Sequence, residues 1–149
     1  MATVTDSGFK VEPIDDLAAW MRCDLPDWAM NFVWYTAARN LHVEPIIAFG
    51  QPFERSERYP GMRLLAAKDG DAVVGYLLYE EAHGLFAPHL HIVARDPARR
   101  GGRVGDALWE GMLSRVSARP IEAWPETPDG ERAMKRWGFT GAGMDWEYK

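Results

Sequence analysis

Residues 95–112 read RDPARRGGRVGDALWEGM, and this stretch decides how the rest of the chain can fold. It follows an apolar, strand-like run that ends at Ala94. Glycines and arginines form a turn between Arg99 and Gly105, and apolar residues at helical spacing follow from Val104. The first amides of a helix lack partners within the helix, and the helix dipole adds positive potential there. A strand, a basic glycine-rich turn and a helix together predict a site for phosphate or diphosphate.

The composition is that of one ordinary globular domain spanning residues 1–149, with residues 1–7 as a loose lead-in. The net charge of −5 disfavours a nucleic-acid-binding surface. Cys23 is the single cysteine, so an internal disulfide and a cysteine-based metal cluster are excluded. The sequence shows neither a membrane-length apolar run nor a secretion signal. We therefore expect a cytoplasmic protein with no membrane or nucleic-acid partner.

The spacing of apolar residues, glycines and prolines predicts the remaining elements. The first elements are an edge strand (8–14), a helix capped by Asp15 or Asp16, a helix that opens at Pro26, a long loop (42–60) and a hairpin (62–67 and 72–80) that turns at 68–71, where Gly70 lies. A third strand (85–94), the helix 104–117 and a short strand in RPIEAW (119–124) follow. The last elements are a helix capped by Thr127 or Asp129 that ends near Trp137 before Gly138, and one or two strands within 139–148.

The resulting order is β-α-α-β-β-β-α-β-α-β(β). The unit of strand, basic turn, helix and strand needs a crossover, so at least one strand pair is parallel. The predicted class is therefore α/β (α+β), with a mixed, mostly antiparallel sheet of six to seven strands and helices on both faces.

The turn and two later features resemble the GNAT superfamily of acyl-CoA-dependent N-acyltransferases. The stretch Arg100-Gly101-Gly102-Arg103-Val104-Gly105 is similar to the family's loop pattern Arg/Gln-x-x-Gly-x-Gly/Ala at its first and last positions, with Arg103 in place of the usual glycine. Trp137-Gly138-Phe139 matches the family's Gly-Phe after a helix, and the element order agrees over nearly the whole chain. A dinucleotide fingerprint fits less well, since the glycines come late in the chain. A plain surface turn is the remaining alternative.

The resemblance implies acetyl-CoA as co-substrate. A metal site of His83, His89 and His91 is the alternative, but no clear carboxylate spacing accompanies them, so no metal is expected. The resemblance implies a diphosphate on the amides of the glycine-rich turn. It also implies a pantetheine arm paired with the third central strand, where two parallel strands part to form a slot. The residues predicted to bind the coenzyme are Val93, Ala94, Arg95, Arg99, Arg100, Gly101, Gly102, Arg103, Val104, Gly105 and Asp106.

Acyl transfer to an amine needs a base for the amine proton and a donor for the carbonyl oxygen. The resemblance assigns the donor to a backbone amide near Val93 or Ala94. His89 and His91 alternate with apolar residues, so we expect both to face away from the main apolar set, towards the acyl end of the slot. The predicted catalytic residues are His91, His89, Glu80 and Tyr148, and Glu81 and Glu122 are further carboxylates nearby. An alternative is that these histidines are ordinary half-buried strand residues.

Met134 stands where the family often has a tyrosine that protonates the leaving thiol, and Thr127 stands where an asparagine is usual. Tyr79 or Tyr148 would then supply that proton, or the thiolate leaves unaided. Three functions therefore remain open. The first is an N-acetyltransferase acting on a small-molecule or protein amine, and the second is a catalytically silent acyl-CoA sensor. The third is a partner-binding domain, such as a homodimer, with the Trp-rich helix from Pro26 to Arg39 as its interface. The sequence does not identify the amine or the acyl chain length.

Overall fold

The structure is a computed structural model, and its elements follow from the alternation patterns above. It describes residues 3–4, 8–15, 25–29, 62–99, 103–125, 127–143 and 145–149. The elements are β1 (Thr3–Val4), β2 (Lys10–Ile14), β3 (Met62–Asp69), β4 (Ala72–Glu80), β5 (His89–Arg95), α1 (Arg103–Leu113), β6 (Ile121–Ala123), α2 (Pro128–Trp137), β7 (Thr140–Ala142) and β8 (Asp145–Tyr148). The predicted first helix, Cys23 and the loop 42–60 lie outside the described residues.

The strands form one eight-stranded sheet in the order β1-β2-β3-β4-β5-β6-β8-β7. Every neighbouring pair is antiparallel except β5 and β6, which confirms the mixed sheet with a parallel pair at the crossover. The sheet has one strand more than the predicted six to seven. Thr3 pairs with Val11 and Val4 with Lys10, so the expected lead-in forms a short outer strand and β2 is not the edge.

Helix α1 packs on one face of the sheet because glycines let it approach closely. A Cβ at Gly75 of β4 would lie 2.6 Å from Val104 Cγ1, and one at Gly111 of α1 would lie 2.6 Å from Val11 Cγ1. The apolar residues of α1 then bury Leu65, Leu77 and further residues of the same face. Those helix residues are Val104, Ala107, Leu108, Trp109 and Met112.

The opposite face carries a second apolar cluster, which Trp28 and Ala29 help to cover. These two residues lie in a helical turn after Pro26, whose carbonyl accepts a hydrogen bond from the Ala29 amide at 2.9 Å. Apolar helical residues therefore lie on both faces, as predicted, and the sheet forms the central layer.

The third central strand is shorter than predicted. It begins at His89 instead of Leu85, because His83 and Phe86 close a tight turn through two backbone hydrogen bonds of 3.1 and 2.8 Å. Helix α1 likewise ends at Leu113 rather than Ser117. Helix α2 follows the prediction closely, since Thr127 caps its first turn and Gly138 ends it with a φ of 102°.

The pKa of Tyr79 predicts how the stability of the fold changes at high pH. Burial beneath α1, together with the negative charge of Glu81, raises the pKa of Tyr79 above its usual value. The tyrosinate therefore forms first in the unfolded chain, and stability present below pH 10 should decline as the pH rises beyond it. Tyr79→Phe should flatten this decline in urea unfolding curves recorded between about pH 8 and about pH 11. Equal slopes for the variant and the wild type would contradict this account.

Candidate functional site

The parallel strands β5 and β6 part after two residue pairs. His89 pairs with Glu122 and Leu90 with Ala123, where β6 ends, while β5 continues to Arg95. A cavity of about 590 Å³ opens between the free run of β5 and helix α2. We call this cavity the slot. The described lining includes Leu90, His91, Ile92, Val93, Arg95, Gly105, Ala123, Trp124, Pro125, Ala133, Met134, Arg136 and Trp137.

The backbone of β5 presents alternate amides to the slot. The Asp96 amide donates to the Val74 carbonyl at 2.8 Å, towards β4. Because amides of successive strand residues point to opposite edges, the Ala94 amide also faces β4, whereas those of Val93 and Arg95 face the slot. Of the two residues predicted to serve the carbonyl oxygen, the geometry favours Val93.

A β-bulge sets the orientation of the histidines. Leu78 pairs with Ile92 and Tyr79 with Leu90, so His91 is an extra residue on β5. Ile92 consequently joins the apolar cluster opposite α1, while Leu90 joins the cluster under α1. The simple alternation predicted from the sequence is therefore wrong for Ile92, which shares the face of Glu80.

His91 and Glu80 form a contact at the closed end of the slot. His91 Nε2 lies 3.2 Å from Glu80 Oε1, and their side chains are only 10% and 18% exposed. His89 is buried at 8% exposure, with its ring 4.5 Å from that of His91 and 4.6 Å from that of Trp124. The structure therefore brings together three of the four predicted catalytic residues.

Tyr148, the fourth of them, lies elsewhere. Its ring meets Trp109 edge-on at 5.1 Å and Phe139 at 5.7 Å, with the Arg119 guanidinium 5.4 Å from its centroid. It belongs to an aromatic cluster beside α1 and is not among the residues that line the slot. Its aromatic contacts account for its position without a catalytic role.

Carboxylates align across the sheet on the face of Glu80. In register, Glu80 lies beside His89, His89 beside Glu122, and Glu122 beside Glu147. Their neighbours Tyr79, Leu90, Ile121 and Trp146 belong to the cluster under α1, so this row faces the other way. A row of carboxylates therefore lies next to the two imidazoles, where β5 and β6 are still paired.

The glycine-rich turn is only partly within the described residues. Arg100, Gly101 and Gly102 lie outside them, so the predicted diphosphate contacts there stay predictions. On the flank, the Arg95 guanidinium donates to the Arg99 carbonyl, and Arg99 Nη1 lies 2.5 Å from Asp69 Oδ2. The structure therefore directs Arg99 towards the β3–β4 turn.

The start of α1 borders the slot. Gly105 lies in its lining, next to Trp137 of α2. The Asp106 carboxylate accepts hydrogen bonds from Arg136 and Trp137 at 2.8 and 2.7 Å. Asp106 was predicted to bind the coenzyme, and the structure places its carboxylate between the two helices.

Helix α2 supplies a wall of the slot that sequence analysis missed. Asp129, Arg132, Ala133 and Arg136 line it at the spacing i, i+3, i+4 and i+7, which is one face of a helix. That spacing was a signal in the sequence that could have identified this wall. Met134, the residue at the usual tyrosine position, also lies in the lining and is 5% exposed.

Among the described residues, no group of three or more His, Cys, Asp or Glu side chains could hold a metal ion. Within the same ranges, no helix has the length and apolar character required to cross a membrane.

No protein-family model and no curated protein matches the sequence. Solved structures do match. A GNAT-family acetyltransferase from Bacillus cereus is 18% identical with a TM-score of 0.54, covering 92% of this chain and 91% of its own. The chain has the GNAT fold.

Two further solved structures with this fold contain coenzyme A or acetyl-CoA. The PaiA N-acetyltransferase from Thermoplasma acidophilum, in complex with coenzyme A, is 13% identical with a TM-score of 0.51 and covers 93% of this chain and 98% of its own. The yncA protein of Salmonella typhimurium, with its cofactor acetyl-CoA, is 14% identical with a TM-score of 0.53 and covers 93% and 90%. At such low identities the similarity shows that this chain has the GNAT fold. Its activity has to be argued from the residues of the site.

Proposed function

We propose that the protein is an acyl-CoA-dependent N-acyltransferase that transfers acetyl from acetyl-CoA to a primary amine. The parting of β5 from β6 beside the first turn of α1 carries this proposal, because it leaves a slot with an unpaired strand edge. Two neighbours with the GNAT fold contain coenzyme A or acetyl-CoA, which supports the same ligand here. The residues fit that ligand, since amides, an arginine and an apolar wall all line one cavity.

The residues of the chain divide the chemistry among them. Acetyl-CoA, if bound in the slot, would supply a thioester, and the transfer would form a carbon–nitrogen bond to the amine and break the carbon–sulfur bond. The Val93 amide would donate a hydrogen bond to the carbonyl oxygen as negative charge develops on it. His91 would accept the proton that the amine loses, and Glu80 would stabilise the resulting imidazolium at 3.2 Å. The coenzyme would then leave as a thiolate.

An amine acceptor agrees with the charge around the imidazoles. Glu80, Glu122 and Glu147 occupy one row on the face that carries His89 and His91. An amine is cationic until it gives up its proton, so this row attracts it towards the base. Both a small-molecule amine and an amine on a protein have this chemistry.

Coenzyme binding can be tested by filling the slot. Ala133→Trp places an indole against the α2 wall, so we expect the Kd for acetyl-CoA, measured by isothermal titration calorimetry, to rise by roughly tenfold or more. Ala118→Trp is the matched control, since Ala118 is exposed and lies outside the lining. If the wild-type protein does not bind acetyl-CoA at about millimolar concentration, the proposal is wrong. A Kd of about 1 mM corresponds to a binding free energy of about −4 kcal/mol.

Met134 favours one competing function, a catalytically silent acyl-CoA sensor. A thioether cannot donate a proton to a leaving thiolate, and Met134 lies in the lining where the family often has a tyrosine. Thiol release from acetyl-CoA, followed colorimetrically with a panel of diamines, amino acids and lysine peptides, separates the two functions. Release above the amine-free rate supports the transferase, and tight binding without release across the panel supports the sensor.

A further inference from the structure

The carboxylate of Asp106 is the meeting point of the two described helices. Its Oδ1 accepts from Trp137 Nε1 at 2.7 Å and from Arg136 Nη2 and Nε at 2.8 and 3.2 Å. Asp106 lies in the first turn of α1, and its two donors form the end of α2. Three donors on a single oxygen fix both the side chain and the distance between these helix ends.

The packing around this contact links the distance between the two helix ends to the width of the slot. The Trp137 ring stacks on Trp109 at 5.4 Å with an interplanar angle of 10°. A Cβ at Gly105 would lie 3.4 Å from Trp137 Cζ2, so the gap between the backbone of α1 and the indole holds no more than about one methyl group. Gly105, Arg136 and Trp137 all line the slot. The width of the slot at the start of α1 therefore depends on where Trp137 is held.

Considered by its charge alone, Asp106 would weaken the binding of a phosphate ligand. A carboxylate in the first turn of α1 would repel a diphosphate bound at the amides of that helix. Here the Arg136 guanidinium neutralises the carboxylate, and its engaged oxygen faces α2. Asp106 therefore suits a link between helices better than a phosphate contact.

We propose that Asp106 is a positioning residue. Its hydrogen bonds to Arg136 and Trp137, which we call the latch, hold the start of α1 against the end of α2 and so set the width of the slot to that of the coenzyme. The proposal rests on acetyl-CoA being the ligand of the slot. Removal of a negative charge beside a diphosphate would ordinarily tighten binding, and the proposal predicts the opposite result for Asp106. Loss of the latch should weaken binding even though a repulsive charge is lost.

Three variants test the latch by calorimetry with acetyl-CoA. Asp106→Ala should raise the Kd by roughly tenfold, in line with the loss of hydrogen bonds to a charged group. Asp106→Asn keeps an oxygen acceptor and should stay within about threefold of the wild type. Trp137→Phe keeps a ring but loses the indole donor, so an intermediate rise is expected. Asp145→Ala removes an exposed carboxylate on β8 and should leave the Kd unchanged.

An unchanged or lower Kd for Asp106→Ala would overturn the latch, as would an Asp106→Asn variant as weak as Asp106→Ala. Hydrogen exchange of the Trp137 indole proton, followed by NMR without ligand, provides an independent measurement. Exchange at least about tenfold faster in Asp106→Ala than in the wild type supports the latch, and equal rates overturn it. If the wild type does not bind acetyl-CoA, the proposed function fails, and the exchange rates alone decide the latch.

Discussion

His91→Ala is expected to lower kcat for amine acetylation by roughly 10²- to 10⁴-fold, the usual contribution of a positioned general base. His91 lies at the closed end of the slot, and its Nε2 contacts Glu80 Oε1 at 3.2 Å. His91 supplies the one imidazole among the described residues of the lining, and imidazole is the side chain most often used as a general base. The measurement is release of coenzyme thiol with the most active amine of the panel.

A matched control is available within the chain. His83→Ala removes an exposed imidazole from the β4–β5 turn, where the bonds to Phe86 are made by the backbone, so kcat should not change. The Kd of acetyl-CoA should stay within about threefold in His91→Ala, which shows that the slot has survived. Glu80→Gln should lower kcat less than His91→Ala, since glutamine still accepts a hydrogen bond from the ring. A kcat for His91→Ala equal to the wild type's would assign the base elsewhere, with His89 next to test.

Gly75→Val should destabilise the fold by at least about 3 kcal/mol, the upper range for overpacking a core. A Cβ at this position would lie 2.6 Å from Val104 Cγ1, 2.9 Å from the Ala94 carbonyl oxygen and 3.1 Å from Leu108 Cδ1. The Ala94 oxygen belongs to the neighbouring strand and cannot move aside. Val104 and Leu108 belong to α1, so α1 must lift from the sheet to make room. The midpoint of thermal unfolding should fall by roughly 6–12 °C.

Gly75→Ala should cost less, about 1–3 kcal/mol, and should also weaken acetyl-CoA binding. Val104 is the second residue of α1, so displacing it moves the amides at the start of the helix. Gly105→Ala is the control for stability. Its Cβ would make an ordinary contact of 3.4 Å with Trp137, and alanine suits a helix better, so stability should hold or rise by up to about 1 kcal/mol. Equal stability of Gly75→Val and the wild type would contradict the close packing of α1.

Local sequence signals predicted the elements that depend on neighbouring residues. Thr127 and Gly138 marked the two ends of α2, since a cap oxygen and a left-handed glycine act within one turn. Gly70 marked the β3–β4 turn and adopts a φ of 61° there. In contrast, β1 has only two residues, Thr3 and Val4, which is too short for an alternation pattern, so the sequence did not predict it.

The candidate site was predictable in its residue types and less so in its geometry. His89 and His91 were identified because they alternate with apolar residues near the predicted slot, and Glu80 because it ends the preceding strand. The structure brings the three together. Tyr148 was chosen for its chemistry, but aromatic packing against Trp109 holds it away from the slot lining. No short-range pattern could separate these cases, because the distances join residues on different strands.

The sequence by itself determined the order of elements from β3 to α2, at least one parallel strand pair and the basic glycine-rich turn, because periodicity, caps and turn residues act over a few neighbours. The tertiary structure alone decided that His91 occupies a bulge, that β6 ends where β5 continues, and that Asp106 joins α1 to α2. Each of these depends on how separate segments meet across the sheet, where packing and hydrogen bonding over long sequence distances set the positions.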